Sequence, residues 1–154
     1  MVQTKQERQP TMYMKTSPID GDIQDLIAFP ILWPEYVPDT HPFQDAKGAE
    51  YNNSGSVADN EVFLFYGNEP GQVFSIWEGT FESVIVPDGT PPVAIIDIGG
   101  EQVPIYKVRE ETDSHAGFFA TYVFKAGDLW VRMMIPGISE DEVLKIAGSL
   151  APRK

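Results

Sequence analysis

The stretch "GDLWVRMMIPGISEDEVLKIAGSL", residues 127–150, changes hydrophobic period in its middle, and that change decides the fold. In "DLWVRMMI" the apolar residues Leu129, Val131 and Met133 alternate with Trp130 and Arg132, the period of a strand with one face inward. After Pro136 and Gly137 the period becomes helical, with Val143, Ile146, Ala147 and Leu150 recurring at three and four residues. Ser139 and Glu142 form a capping box: the hydroxyl accepts the N–H of Glu142, and the carboxylate returns to the N–H of Ser139. Glu140 and Asp141 sit at the positive end of the helix dipole and Lys145 toward the other end. A strand followed by a helix with one apolar stripe predicts a sheet roofed by its last element.

The same alternation extends upstream to residue 61. "EVFLFY" and "QVFSIWEGTF" flank "GNEPG", whose Asn, Pro and Gly suit a reversal between antiparallel strands. "PVAIIDI" and "EQVPIYKV" flank Gly99-Gly100, a pair that tolerates the positive φ of a primed two-residue turn. That register sets Ile96 opposite Val103 and Ala94 opposite Ile105 on one apolar face, with Asp97 and Gln102 on the other. Pro104 fits an edge, where its missing N–H costs nothing. Beyond the polar segment "REETDSHAG", "FFATYVFK" turns through Ala126-Gly127 into "DLWVRMMI". Two-residue pairing there sets Phe124, Tyr122 and Ala120 opposite Leu129, Val131 and Met133, whereas a three-residue loop would flip that register.

The first third reads differently. Residues 1–18 are polar and without period, which predicts a flexible leader ahead of a single domain over 19–152. "DGDIQDLIAF" places Ile23, Leu26 and Ile27 on one face of a short helix that Pro30 stops. In "FPILWPEYVPDTHPF" four prolines among large apolar residues predict a strap over 29–43 lying along a sheet edge. "DAKGAEYNNSGSVADN" (45–60) reads as an exposed loop. The expected fold is α+β, an antiparallel meander of about six strands covered by the C-terminal helix.

Totals narrow the function classes. One domain of 154 residues with 42% hydrophobic residues supports its own core. A formal charge of −12 disfavours nucleic acid and anionic lipid surfaces as partners. Without cysteine, no thiolate nucleophile and no cysteine metal site is available. No apolar run approaches the roughly 20 residues of a membrane span, and the N-terminus has no apolar signal core. A cytoplasmic address and the removal of an upstream signal or anchor both fit that observation.

Chemistry-bearing patterns are few. His41 and His115 lie apart in polar or Pro-rich segments, without the nucleophile and orienting acid of a charge-relay site, and read as surface histidines. No paired-histidine spacing or HExxH points to zinc. Asp20, Asp22 and Asp25 resemble half of a calcium loop without its Gly and distant Glu, and a helix N-terminus accounts for the same acids. Glu110, Glu111 and Asp113 beside His115 read as solvated charge. "DIGGE" and "SGS" are turns, since neither opens a helix as a phosphate loop does. The aromatics carry more. Core packing accounts for most of them, but Trp130 and Arg132 oppose the inward residues of their strand. The candidate ligand-binding residues are Trp77, Trp130, Arg132 and Tyr106, on the sheet face left uncovered by the helix.

"FPILWPEYVPD", the hairpin series and "GDLWVRMMIPGISEDEVLKIAGSL" together resemble the domain-of-unknown-function family 4367, over residues 26–150. In that family a proline-rich opening leads into strands and an ending of the type "ls.eel.kiA.SL". The resemblance implies an extracytoplasmic, lipoprotein-like or membrane-anchored setting in Gram-positive bacteria, as in anti-sigma-like ectodomains, and no catalytic residue to carry over. The chain departs from that pattern in lacking a signal or membrane segment. The strand-then-helix ending is also similar to the PsbP and Mog1 type of sandwich. The expected function is a non-enzymatic extracytoplasmic binding or sensing module, with no cofactor, holding a peptide, lipid or glycan on the sheet face or in the groove between sheet and helix. The alternatives are a hydrolase drawing its acid from the loop carboxylates and a purely structural interaction domain.

Overall fold

A computed structural model of the chain describes residues 11–16, 27, 29–52, 59–67, 73–81, 86–113, 117–136 and 138–152. The order is β1 (Thr11–Thr16), β2 (Leu32–Pro34), β3 (Phe43–Asn52), β4 (Asp59–Tyr66), β5 (Phe74–Gly79), β6 (Ala94–Ile98), β7 (Glu101–Asp113), β8 (Gly117–Ala126), β9 (Leu129–Pro136), α1 (Glu140–Gly148) and β10 (Leu150–Pro152). The class is α+β, as the hydrophobic periods predict, but the sheet is larger and connected differently. Seven strands form one antiparallel ladder in the order β1-β3-β4-β5-β9-β8-β7. β6 extends it by pairing only with residues 101–105 of β7.

A single six-stranded meander is therefore corrected to two meanders, β3-β4-β5 and β6-β7-β8-β9, closed by β5 against β9. The strands missing from the sequence reading lie in its most polar parts. β3 and the start of β4 occupy much of the segment read as a loop over 45–60, and β1 lies within the leader and pairs with β3 along its whole length. Gly, Asn and charged residues have weak strand propensity, so local sequence pointed away from strand where edge pairing supplied it.

The hairpins follow their turn chemistry. At the tip of β6 and β7, Gly99 and Gly100 have φ of 63° and 91°, and the register pairs Ile96 with Val103, Ala94 with Ile105 and Asp97 with Gln102. The Asp97 carboxylate caps the turn by accepting the Gly100 N–H at 2.9 Å. Pro104 costs no ladder bond, because the pairing of β7 with β8 begins only at Tyr106. The β8–β9 hairpin turns at Gly127-Asp128, with Gly127 at φ 64°, and pairs Ala126 with Leu129, Phe124 with Val131 and Tyr122 with Met133. The expected register is thus corrected by two residues. A slip of two keeps every side chain on its face, so the inward set is unchanged.

One sheet face and two covering elements make the core. Val62, Leu64, Phe74, Ile76, Ile105, Phe124, Val131, Met133 and Ile135 point inward and are essentially inaccessible. α1 supplies Val143, Ile146 and Ala147, followed by Leu150. Its N-cap forms as expected on one arm, Ser139 accepting the Glu142 N–H at 3.3 Å. The other arm is corrected: the Glu142 carboxylate accepts the Tyr36 hydroxyl and meets Lys145 at 3.5 Å.

The Pro-rich strap is not at an edge of the main sheet. It lies over the middle strands beside α1, burying Ile31 and Trp33, and β2 pairs antiparallel with β10, the end of the chain. Prolines leave few N–H groups for a long ladder, while the large apolar residues need the core, and a short two-stranded pairing satisfies both. Ser149 binds the two covering elements together, accepting the Tyr36 N–H on Oγ at 3.0 Å and the Glu35 N–H on its carbonyl at 3.1 Å. An aromatic series from Trp33 through Phe43 and Tyr66 to Phe74, with centroids 5.1–5.9 Å apart, closes that end of the core.

Candidate functional site

Alternation along the strands puts a second set of residues on the face away from α1. One transverse row, read through the registers, runs Lys47, Phe63, Trp77, Arg132, Val123 and Tyr106. The four candidate residues thus share one face, with Trp77, Arg132 and Tyr106 in one row and Trp130 in the next, opposite Lys125 and Gly79.

They do not share one environment. Trp77 is only 2% exposed. Its indole N–H donates to Glu61 Oε1 at 2.7 Å, the Arg132 guanidinium lies over its ring at 5.2 Å, and Phe81 meets it edge-on at 5.3 Å. The ring lies over Gly79, where any Cβ would overlap it. Burial draws the Arg132 pKa down while the nearby Glu61 carboxylate opposes that. The expectation of an accessible Trp77 is therefore corrected: cation, ring and carboxylate form a packed cluster, and β5 is buried on both faces.

The cover comes from the connection between β5 and β6. These strands are not neighbours, and the described parts of their connection lie on the sheet face opposite α1. Residue 81 packs on Trp77, and residues 86–90 stand above Tyr106, Val123, Lys125 and Trp130. The turn at 87–90 is fixed by the Thr90 N–H and hydroxyl, which both donate to the Pro87 carbonyl at 3.2 and 2.7 Å, with Gly89 at φ 87°. Between this turn and the sheet lies a cavity of about 340 Å³. Tyr106 and Trp130 line it, both half-buried, with Pro104 and Lys125. The Lys125 ammonium lies 5.4 Å from the Trp130 ring centroid. Such a site offers aromatic faces, one cation and one carboxylate, Asp88. It suits a ligand with flat apolar faces and polar edges.

The sequence missed the covering connection and with it Lys125 and Pro104 as lining residues. "PDGT" at 87–90 was a readable turn, but nothing local says which sheet face a crossover takes. Glu61 also escaped notice, although its register opposite Ala49 and Gly79 puts it beside the Trp77 ring.

Other candidates are distributed elsewhere. His41 is 7% exposed, so the surface reading is corrected: it stacks tilted on Phe74 at 5.6 Å, with Nδ1 at 2.8 Å from Thr40 Oγ1. Residues 110–113, expected in a loop, belong to β7, and His115 and Asp20, Asp22 and Asp25 lie outside the described residues. Among the described residues no group of three or more potential metal ligands converges, and no helix is long and apolar enough to cross a membrane. A groove runs between the strap, α1 and the β8–β9 turn, in two contiguous parts of about 520 and 320 Å³ that share Leu32, Ala126 and Pro152. Glu78 lies beneath the strap on the core face, and burial raises its pKa well above the ordinary carboxylate range. Alternation in "QVFSIWE" with Phe74 and Ile76 inward already placed that carboxyl inward.

No family model, no curated protein and no solved structure matches this chain.

Proposed function

We propose that the protein is a non-enzymatic binding or sensing module working outside the cytoplasm, and that it holds a peptide or glycan segment in the cavity between residues 86–90 and the Tyr106–Trp130 side of the sheet. The observation that carries this reading is the joint exposure of two half-buried aromatic rings in a preformed cavity of about 340 Å³. Rings and proline give flat apolar contact, while Asp88 and Lys125 address polar edges, the mixture that small-ligand sites use. An acyl chain is a poorer fit to that polar rim. The extracytoplasmic setting rests on the family resemblance alone.

The hydrolase alternative needs a carboxyl of raised pKa in the cleft. Among the described residues the carboxyl that burial raises is Glu78, and it lies on the opposite side of β5 from this cavity. That geometry favours binding over acid catalysis.

Thermal-shift and NMR titration with oligosaccharides and Pro-rich peptides test the reading. A ligand that binds the folded form raises Tm, and at 100 times its Kd it contributes about 2.7 kcal/mol. Trp130→Ala and Tyr106→Ala should abolish that gain, read for each variant against its own unliganded Tm. Binding that survives both substitutions, or no binding at millimolar ligand, ends the proposal for this cavity.

A further inference from the structure

Among the described residues, Glu78 is the acidic side chain that the fold buries completely, at 0% exposure, in the middle of the main sheet. Its cross-strand neighbours are Val62 on β4 and Val131 on β9, both inaccessible. Oε1 accepts the Leu32 N–H at 2.8 Å, which ties the strap to the sheet across 46 residues of chain. Oε2 is buried without a partner.

Charged groups on the surrounding elements turn elsewhere. Glu61 on β4 and Arg132 on β9 fall on the opposite sheet face. On α1, Glu142 and Lys145 engage Tyr36. Glu35 on the strap and Asp128 in the β8–β9 turn are exposed. A negative charge at Glu78 would rest on one amide dipole in apolar surroundings, whereas the neutral acid leaves a single unbonded hydroxyl.

We propose that Glu78 is a protonation-dependent latch on the strap: the neutral acid holds residues 31–34 on β5, and loss of its proton to solvent drives the strap toward a lifted state in which water hydrates the carboxylate. Ile31 and Trp33 oppose release, so the latch changes the fraction of time the strap is lifted and leaves the sheet folded. Phe29, Pro30 and Leu32 form one wall of the smaller part of the groove, facing Leu129. Lifting the strap takes that wall away and exposes Ile31, Trp33 and the core face beneath them, so apolar surface becomes accessible as pH rises.

Hydrogen exchange on the full chain tests the latch. Once corrected for intrinsic rates, the opening equilibrium of the Leu32 amide should rise about tenfold per pH unit above the ordinary carboxylate range, and level off at the folded-state pKa. Amides of β5 and β9 serve as the control: they open only with global unfolding, so their opening carries the same pH slope but stays far rarer than that of Leu32 at every pH. Glu78→Gln, which keeps an acceptor for Leu32 and cannot ionise, should give a flat strap profile. Binding of the neutral dye Nile red should rise with pH in the wild type and not in E78Q. A flat wild-type profile between about pH 4 and about pH 9, or the same rise in E78Q, overturns the latch. So does a Leu32 opening free energy equal to that of the β5 and β9 amides, which would mean whole-domain unfolding. The wild-type profile and its internal control decide the matter even if E78Q folds poorly.

Discussion

At the scale of single residues, two side chains on adjacent positions of β5 set opposite constraints. Trp77 on the outer face is satisfied: its N–H meets Glu61, Arg132 covers its ring, and Gly79 leaves room beneath it. Gly79→Ala should therefore cost about 1–3 kcal/mol, the range for overpacking, because the ring must leave its rotamer or the strand must shift. A denaturant midpoint lower than wild type with an unchanged m-value checks this, and an unchanged midpoint refutes the packing described for Trp77. Glu78 on the inner face is only half satisfied. Its folded-state pKa lies above the unfolded value, so the folded state binds the extra proton over that interval. Stability is then greatest below the unfolded pKa and declines by about 1.4 kcal/mol per pH unit until the folded pKa is passed. E78Q should remove that decline and be the more stable protein near neutral pH. Chemical denaturation at stepped pH values reads both, and parallel curves for the two proteins would contradict the burial argument.

At the scale of elements, α1 and the strap hold each other. The Ser139 hydroxyl caps the first turn, and Ser149 at the other end receives the strap through two hydrogen bonds. Ser139→Ala should cost about 1 kcal/mol, since an orphaned N–H at a helix start loses its acceptor. Ser139→Asp should restore most of the loss, because the carboxylate accepts the same N–H near the positive end of the dipole. The Glu142 carboxyl is held below the ordinary carboxylate range, first by the Tyr36 hydroxyl and then by Lys145. That contribution is present above the unfolded pKa and is lost as pH falls, opposite in sign to Glu78. Tyr36→Phe should flatten the acid limb of the stability profile while leaving the neutral-pH limb to Glu78. Urea midpoints below pH 5 compared with those near neutrality separate the two groups.

At the scale of the whole molecule, the pairing of β5 with β9 joins the two meanders, and the described parts of the β5–β6 connection on one face and the strap with α1 on the other enclose β5. Native-state hydrogen exchange should rank β5 and β9 slowest and the terminal strands β1 and β6 fastest, since enclosed strands open only with global unfolding. Protection in β6 equal to that in β5 would contradict the topology. Sequence by itself determined what depends on neighbours a few residues apart: the periods of β4–β9, the Gly99-Gly100 turn and its register, the cap at Ser139 and the apolar stripe of α1. It also determined which side chains share a face, which is why Trp77, Trp130, Arg132 and Tyr106 fall together. Only tertiary structure decided which strands meet across long separations, that polar residues 43–52 and 11–16 pair as strands, and that the strap crosses to the end of the chain. It likewise decided that Trp77 is enclosed while Trp130 and Tyr106 line a cavity, because the side on which a crossover passes is set by the packing of both sheet faces at once and by no residue within it.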